Sequence, residues 1–579
     1  MSNNNKQSKS SLTFHGFRGV DGRVCRSDPP VATRLENFRI RSDGSLEKRC
    51  GYRPLYDAGA PIRAMWTGRV QGAFLGYLLL GNVLYSLDFS TLERTALGEV
   101  ETTEGHACIF FYRGSLYVLD ATGFYRLSDN QLVRPTGYAP LIGKDWSNNE
   151  IGLPYEPKNI LNPNVRISYV ITDPPSLFLC APDEILSIRA VYVNGVFQTG
   201  DKYSYDPDFN TVNVPGLQAG DRVLVYLTLR LDHTTLLTDL YSSTQVTLFG
   251  DANCDRLFFW GGRRSGTIFC SSFVDSHSLK ESQLHFPDTD ALYIPEGFEF
   301  QVGSGHSPVT GAIRHFDRLL LFTEAETWMA SSAASGREEF PAVCVNPSLG
   351  CAHPQGLVLT GNDPVSIGEG GIWQWTGDTE ALNHRNARCL SKEIEDRFTA
   401  EELAEACLAY HRAEDTLWVL LPRKGEAWLW NLPMKAWVCY TGIHADRLVD
   451  LGGQMGFLRG NHFYVFDPAC VKDLDADGTE HEILGRYESS VLDFGSDRRK
   501  KLSYLSLEGE LGEGSVTLEF LGEGIPSVSR TFVGTKETTH ALLRARAVSG
   551  RFHHGSLRLT AEGEFRPIIH SLTLGLCKS

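Results

Sequence analysis

From residue 62 onwards the sequence repeats one short unit: an apolar strand, a turn at glycine, aspartate or asparagine, and a returning strand with aromatic residues. The first two copies read Leu-Leu-Leu-Gly-Asn-Val-Leu-Tyr at 78–85 and Ile-Phe-Phe-Tyr-Arg-Gly-Ser-Leu-Tyr at 109–117. Short apolar runs bounded by turn residues are typical of β-hairpins. Seven candidate hairpins follow this pattern, at 78–88, 109–120, 257–272, 319–331, 365–377, 417–440 and 455–469. The repeat predicts an all-β protein.

A repeat of this kind also predicts how the hairpins pack. A single four-stranded sheet cannot bury both of its faces, so such sheets stack around a common axis as the blades of a β-propeller. Seven unevenly spaced hairpins predict about 6–8 blades. We assign the propeller to two parts of the chain, 14–158 and 234–483. Hairpin aromatics such as Trp328, Trp373, Trp430 and Tyr464 are then mostly core residues.

Four segments depart from the repeat. Residues 159–233 contain longer alternating strands and the hairpin turn Asn194-Gly195, which predict an inserted β-sandwich, either a spacer or a module that docks on a neighbouring subunit. Residues 484–579 also alternate over longer strands and predict a C-terminal β-sandwich. Residues 1–13 are polar and predict a disordered N-terminal arm. Residues 392–410 predict a helix, with Thr399 and Glu402 spaced as a capping box.

The net charge argues against a protein that grips nucleic acid. The chain carries −15, and proteins that neutralise phosphates are usually basic. Residues 484–579 hold 13 Lys or Arg and 11 Asp or Glu, so the first 483 residues hold −17. We find no apolar run of the roughly 18–20 residues that span a bilayer and no secretory signal. These observations predict no membrane insertion and synthesis in the cytoplasm.

The sequence offers little for catalysis. It lacks a phosphate-binding loop, a metalloprotease helix, a nucleophile elbow and a dinucleotide-binding glycine motif. The 70 acidic residues contain no pair that the sequence singles out as glycosidase-like. The thirteen cysteines are scattered singly and predict buried reduced thiols. We therefore predict that the chain is not an enzyme and has no catalytic residue, bound cofactor or assigned metal site.

Two short motifs leave an alternative open. Asp473, Asp475 and Asp477 alternate before Gly478, as in calcium loops, but His481 and Leu484 stand where such loops need an acidic ligand. The other interpretation is an Asp-rich hairpin that links the last blade to the C-terminal sandwich. The basic run at 498–501 predicts a solvated turn or an inter-subunit salt-bridge face rather than a DNA contact.

Residues 14–52 resemble the opening of a group of phage virion proteins. The resemblance rests on 14–21, on Arg-Leu-Glu-Asn-Phe at 34–38 and on Gly-Ser-Leu-Glu-Lys-Arg-Cys-Gly-Tyr at 44–52. It continues through 255–260, 266–272, 317–323, 326–328 and 370–375, then Leu390, Ser391 and Ile394, and so covers about residues 14–470. The group includes the β-propeller tail tubular or nozzle proteins of short-tailed bacteriophages. The segments 159–233 and 484–579 need not match that group.

This resemblance implies a structural component of a phage tail. It implies a homo-oligomeric ring, commonly a hexamer, around the channel through which DNA is ejected, in a virion made in a bacterial host. The implied partners are the portal or adaptor and the tail fibres, with DNA passing through the ring without specific binding. A distal tail protein that binds a host receptor or glycan is the main alternative. A kelch-like cellular scaffold and a propeller hydrolase are two others.

Overall fold

A computed structural model of the chain describes residues 9–23, 31–148, 150–172, 178–250, 255–331, 342–376, 386–494, 498–535 and 540–578. Within these ranges the chain forms 49 strands and three short α-helices, so the predicted all-β class is confirmed. Five strands precede the first hairpin: β1 (Lys9–His15), β2 (Ala32–Glu36), β3 (Phe38–Ile40), β4 (Leu46–Lys48) and β5 (Tyr52–Asp57).

Six of the seven predicted hairpins lie in separate four-stranded antiparallel sheets of the described residues, and the hairpin at 417–440 lies in the four antiparallel strands at one end of a nine-stranded sheet. We number these seven four-stranded units sheets 1 to 7. In sheets 1 to 6 the chain meanders from one strand to its neighbour, and in sheet 7 the fourth strand is β5. Sheet 1 comprises β6 (Ile62–Val70), β7 (Ala73–Leu80), β8 (Val83–Asp88) and β9 (Arg94–Glu99). Sheet 2 comprises β10 (Ala107–Tyr112), β11 (Ser115–Asp120), β12 (Gly123–Ser128) and β13 (Gln131–Val133). Sheet 3 follows an insertion and comprises β22 (Gln245–Phe249), β23 (Arg256–Trp260), β24 (Thr267–Cys270) and β25 (Glu299–Gln301).

The remaining four sheets follow the same plan. Sheet 4 comprises β26 (Val309–His315), β27 (Arg318–Thr323), β28 (Thr327–Ser331) and β29 (Ala342–Asn346), and sheet 5 comprises β30 (Leu357–Thr360), β31 (Asp363–Gly368), β32 (Gly371–Trp375) and β33 (Ala387–Cys389). Sheet 6 comprises β34 (Cys407–His411), β35 (Thr416–Leu421), β36 (Glu426–Asn431) and β37 (Ala436–Thr441). Sheet 7 comprises β38 (Arg447–Asp450), β39 (Met455–Arg459), β40 (His462–Phe466) and β5.

Consecutive sheets pack against one another from sheet 1 to sheet 7. The first strand of each sheet contacts the first strand of the next, in the order β6, β10, β22, β26, β30, β34 and β38. Each neighbouring pair of sheets also shares a cluster of buried apolar side chains. Sheet 7 in turn shares a cluster with sheet 1, in which Phe463 packs with Leu80 and Leu87. The hydrophobic cores therefore link all seven sheets in one series whose last member meets its first.

The insertion between sheets 2 and 3 has a core of its own. Its strands are β14 (Leu141–Ser147), β15 (Asn164–Val170), β16 (Phe178–Cys180), β17 (Ile185–Val193), β18 (Val196–Phe197), β19 (Ser204–Asp206), β20 (Thr211–Asn213) and β21 (Arg222–Leu229). They form a five-stranded and a three-stranded sheet that share one apolar cluster. The insertion starts at β14, before the predicted boundary at 159, because β14 pairs in parallel with β15. The sequence of β14 lacks the alternation of apolar and polar residues that marks a strand, so the prediction placed the boundary too late.

The chain after residue 484 forms two sheets together with the N-terminal strands. Its strands are β43 (Gly485–Ser489), β44 (Lys500–Glu510), β45 (Ser515–Gly522), β46 (Val528–Val533), β47 (Ala541–Arg546), β48 (Gly555–Glu562) and β49 (Ile568–Lys578). The first sheet has the order β3-β4-β49-β44-β47, with β1 also on β49. The second runs β34-β35-β36-β37-β2-β43-β48-β45-β46 and so continues sheet 6. We call the first sheet and the part of the second sheet from β2 to β46 the terminal sheets.

The terminal sheets require two corrections to the predicted domain boundaries. Residues 9–13, assigned to a disordered arm, lie in β1, which pairs with β49 from Lys9 and Cys577 to His15 and Ser571. The boundary at 484 separates strands that share a sheet, because β2 pairs with β43 and meets β37 at Glu36 and Cys439. Pairings between strands more than 400 residues apart leave no local pattern in the sequence, which is why the prediction missed them.

Three α-helices are described: α1 (Thr234–Tyr241), α2 (Ser276–Gln283) and α3 (Ala400–Leu403). The predicted capping box is confirmed, since Thr399 and Glu402 bond each other's backbone N–H at the start of α3. The predicted helix over 392–410 is wrong in extent. Residues 391–397 form kinked 3-10 turns, and Cys407 begins β34, where pairing with β35 prevails over helix propensity. Every described helix is too short or too polar to cross a bilayer.

Candidate functional site at the terminal junction

The motif at 34–52 folds into a buried site that joins this N-terminal segment to sheets 6 and 7. We call it the terminal junction and define it by Asn37, Arg49, Gly51, Tyr52 and Asp473. Asn37 lies between β2 and β3 with a φ of 56°, a left-handed conformation that asparagine tolerates better than most residues. Its side-chain oxygen accepts hydrogen bonds from Arg49 Nε and Thr441 N–H, both at 2.9 Å. Its amide donates to Thr441 Oγ1 and to the carbonyl of Leu484.

Arg49 is the buried charge of the junction. Its guanidinium binds both carboxylate oxygens of Asp473, at 2.6 and 2.8 Å, and the two side chains are only 2% and 4% exposed. The remaining donors reach Asn37, the carbonyl of Cys50 and the carbonyl of Thr441. Burial disfavours the charged form, but the bonds to Asp473 outweigh it and raise the pKa of Arg49. The pair therefore fixes residues 49 and 473 together and leaves no Arg49 N–H for a ligand.

Gly51 and Tyr52 press the N-terminal segment against sheet 7. A Cβ atom on Gly51 would lie 1.7 Å from the carbonyl oxygen of Lys472, so this position accepts glycine alone without movement of the backbone. The Tyr52 ring lies edge-on to Phe457 and Tyr464, with centroids 5.0 and 5.6 Å away. Burial raises the pKa of Tyr52 to about 12, so its hydroxyl stays protonated at neutral pH.

The acidic motif at 473–477 forms a hairpin. Asp473 pairs with His481 in a two-stranded ladder, β41 (Asp473–Leu474) with β42 (Glu480–His481). The Asp475 carboxylate binds Arg459 at 2.7 Å and the Tyr52 hydroxyl at 3.2 Å, while exposed Asp477 accepts a bond from the Thr479 N–H. Partial burial raises the pKa of Asp475, but the ion pair with Arg459 outweighs it and lowers that pKa. The three carboxylates thus have separate donors, whereas a calcium loop aims its oxygens at one point.

A cavity of about 1080 Å³ lies where the first strands of the sheets converge. It is lined by β6, β10, β22 and β38 and by the segments that precede β30 and β34. Its charged lining residues are Arg63, Arg447, Glu405 and Asp446, two of each sign. The cavity is therefore close to neutral, although the first 483 residues carry −17.

Three of the four charged side chains of this cavity, Arg63, Asp446 and Glu405, are engaged in bonds within the protein. The Arg63 guanidinium donates to five acceptors, the carbonyls of residues 81, 102, 104 and 105 and the hydroxyl of Thr102. Asp446 accepts from the Gly460 N–H at 2.7 Å, and Glu405 pairs with Arg423. Burial lowers the pKa of His353, which favours a neutral ring. Arg63 and Asp446 thus hold neighbouring backbone segments of the cavity wall together.

The basic run at 498–501 is divided between the surface and the interior. Arg498, Arg499 and Lys501 are exposed. Lys500 is buried, and its ammonium donates to the carbonyls of Asp493 and Arg498 and lies 5.4 Å from the centre of the Phe494 ring. Lys500 therefore has a structural role, Arg498 and Arg499 precede β44 as the predicted solvated turn requires, and Lys501 lies within that strand.

The sequence analysis missed one cluster of metal-type ligands. Glu510, His540 and His570 offer ligand atoms that all lie within 4.8 Å of one another, on β44, before β47 and on β49. These residues are far apart in sequence, and only the strand register brings them together. The prediction of buried reduced thiols holds in part: the eleven described cysteines are free, but only four of them are buried and seven are half-buried, while two others lie outside the described residues.

Comparisons with known proteins add little to this geometry. No family model matches the chain, and no curated protein matches it either. One similar solved structure is PorZ, described as an essential bacterial surface component of the type-IX secretion system of Porphyromonas gingivalis, with 9% identity and a TM-score of 0.35. The match covers 85% of this chain but only 46% of PorZ. A chain of the mitotic checkpoint complex matches with 9% identity and a TM-score of 0.32, over 76% of this chain and 94% of the other. Scores this low assign neither a fold family nor a function.

Proposed function

We propose that the chain is a structural component of a bacteriophage tail, a nozzle or head-to-tail conduit that forms a ring around the DNA-ejection channel. The observation that carries the proposal is the terminal junction. The motif that resembles phage virion proteins, residues 34–52, supplies Asn37, Arg49, Gly51 and Tyr52 to it. The polar groups of this motif form hydrogen bonds with other residues of the protein, so the motif stabilises the fold and does not bind a ligand.

The proposal includes a finer interpretation of the fold. The seven four-stranded sheets are the blades of a β-propeller, and the central cavity is its axis. Support comes from the side-by-side first strands and from the apolar cluster between sheets 7 and 1. Strand β5 precedes sheet 1 in the chain yet completes sheet 7 by pairing with β40, which ties the two ends of the repeat together. The insertion and the terminal sheets are then two β-sandwiches.

A closed architecture of this kind fits a part of a particle that must resist pressure. Joining the ends of the repeat leaves few free strand edges, so the molecule resists both unfolding and irregular association. The proposed partners are further copies of this chain in a hexamer, the portal or adaptor, and the tail fibres, all within the virion. The proposal includes no membrane insertion and no enzymatic activity. The lack of activity is supported by Arg63 and Asp446, whose side chains bond the backbone of the protein itself.

The proposed ring guides DNA without binding it. The excess of carboxylates in the first 483 residues opposes the release of counterions that drives DNA binding. We expect no saturable binding of duplex DNA by the purified chain in fluorescence anisotropy, even at low salt, where such binding is strongest. Saturable binding that weakens steeply with salt would contradict the guiding role.

Cross-linking with mass spectrometry on purified particles tests the proposed location. We expect cross-links between copies of the chain and from the chain to portal, adaptor or fibre proteins. An abundant host cytosolic protein, followed through the same purification, serves as the control for contamination. A chain that separates from the particles together with that protein would contradict the proposal.

The alternative of a distal tail protein that binds a glycan is favoured by one feature. Most of the tryptophans in the repeat are buried, but the insertion exposes Phe197 and Phe209, by 50% and 73%. Aromatic faces of this kind can stack on sugars. Screening the chain on a glycan array separates the two functions. Specific retention that is lost in F197S and F209S would favour the distal role.

A further inference from the structure

We propose that Glu510, His540 and His570 form a binding site for Zn²⁺ that joins three strands of the terminal sheets. The ligand atoms of the three side chains lie within 4.8 Å of one another. Two imidazoles and a carboxylate are a ligand set that zinc takes in proteins, with a fourth position left to water or another ligand. The proposal does not depend on the proposed tail function.

The strand register creates this cluster. Glu510 is the last residue of β44, and Gly509 pairs with Ala541 at the start of β47, which places His540 beside Glu510. On the other side of β44, Glu508 pairs with Ser571 and Gly509 with Ile569, so His570 has no partner in the ladder. A β-bulge of this kind redirects the side chain of its extra residue. Two of the three ligands therefore come from the adjacent strands β44 and β49, and the third immediately precedes the neighbouring strand β47.

The imidazole of His570 lacks a hydrogen-bonding partner at the cluster. Its Nε2 atom is buried and forms no hydrogen bond with the described residues. The Glu510 carboxylate is 3.6 Å away, which is too long for a hydrogen bond. A buried polar atom without a partner is rare in proteins and requires an explanation. A metal ion between His570 and Glu510 would supply the missing contact.

The geometry needs only a small contraction to hold the ion. Ligands around tetrahedral Zn²⁺ lie at 2.0–2.2 Å from the metal and therefore about 3.4 Å from one another. His540 is 54% and Glu510 46% exposed, so both side chains have room to adjust and solvent can reach the site. The rings of His540 and His570 are already 5.1 Å apart, measured between centroids.

Glu508 is a positioning residue for this site. Its carboxylate bonds His540 Nε2 at 3.1 Å and accepts a bond from Ser571 Oγ at 2.8 Å. Carboxylates that bond a ligating imidazole fix its orientation, and their loss typically lowers metal affinity about 10–100-fold. We expect E508Q to weaken Zn²⁺ binding by this factor while the stoichiometry stays at one ion per chain.

Titration of the full chain with ZnCl₂ after dialysis against EDTA tests the site. We expect one equivalent to bind, a rise in melting temperature, and a visible absorption band when Co²⁺ replaces Zn²⁺. E510Q, H540Q and H570Q should lose this equivalent. H554Q is the matched control, because His554 also pairs with a glutamate in the terminal sheets, Glu523 at 3.2 Å, and should bind as the parent does.

Two results would overturn the proposal. One is the absence of saturable binding in the parent chain. The other is an equivalent that persists in all three variants, which would assign the metal to thiols or to another site. H540Q and E510Q change exposed side chains and should fold normally, so far-UV circular dichroism and the melting temperature in EDTA separate loss of binding from loss of folding.

Discussion

At the scale of single residues, the buried pair of Arg49 and Asp473 holds the terminal junction together. A buried ion pair repays the loss of hydration only when its geometry is good and its other hydrogen bonds are made. Arg49 and Asp473 meet this condition, since the pair is bidentate and the guanidinium also bonds Asn37 and the carbonyl of Thr441. Four residues of the N-terminal motif thus contact the segment around residue 473 or its neighbours: Asn37, Arg49, Gly51 and Tyr52.

Breaking the pair from one side should destabilise the protein strongly. In R49M the Asp473 carboxylate stays buried without its cation, and we expect a loss of about 3–5 kcal/mol in the free energy of unfolding, measured with urea. R134A is the control, because the Arg134–Glu101 pair is 51% and 59% exposed and should contribute less than about 1 kcal/mol. The double variant R49M/D473L should lose less than the two single variants together. Equal losses in R49M and R134A would contradict the role of the junction.

Gly51 gives a second residue-scale prediction. In G51A the new methyl group would collide with the carbonyl oxygen of Lys472, which belongs to the backbone and cannot rotate away. We expect a loss of about 3 kcal/mol or more, at the upper end of overpacking effects. G200A is the matched control, because a Cβ there meets nothing within 4 Å. Thermal unfolding that is unchanged in G51A would show that residues 51 and 472 are not in contact.

At the scale of elements, the hairpins were predictable and their long-range partners were not. Alternating apolar residues and turn glycines identified all seven hairpins, because both signals are local. The closing pair Tyr52 and Phe466 and the pairing of β2 with β43 join distant parts of the chain. The same limit applies to the sites. The motif around Arg49 was visible, but its partner Asp473 was interpreted as a possible calcium ligand, and a bulge in β49 cannot be located from sequence.

Two deletions distinguish the insertion from the terminal sheets. A chain that ends at residue 483 should aggregate, because β2 loses its partner β43 and the shared apolar cluster is opened. Replacing residues 164–229 with a short Gly-Ser linker, together with I142S and W146S so that the remaining strand β14 exposes no apolar core residue, should leave the seven sheets folded. The Leu229 N–H lies 3.0 Å from the Pro163 carbonyl, so the cut ends are neighbours, and the insertion has its own core. Size-exclusion chromatography and circular dichroism compare the solubility and folding of the two deletion variants. A 1–483 chain that is soluble and unfolds cooperatively would contradict the structural role of the terminal sheets.

At the scale of the whole molecule, the proposal joins three features. The seven sheets form one packed series, the N-terminal segment meets residues 441 and 473 at a buried junction, and the charge is divided into −17 before residue 484 and +2 from residue 484 onwards. The first two features favour a rigid body. The third suits a ring whose acidic part faces DNA and whose basic end faces an acidic neighbour.

Cryo-electron microscopy of the particle that contains this chain is the most direct test of that claim. We expect several copies around an axial channel, each with seven four-stranded blades, and a channel wall that is negative overall. The exposed arginines 498 and 499 should face acidic residues of an adjacent protein. A single copy at the tail periphery, or a channel lined mainly by lysine and arginine, would contradict the conduit and favour host recognition.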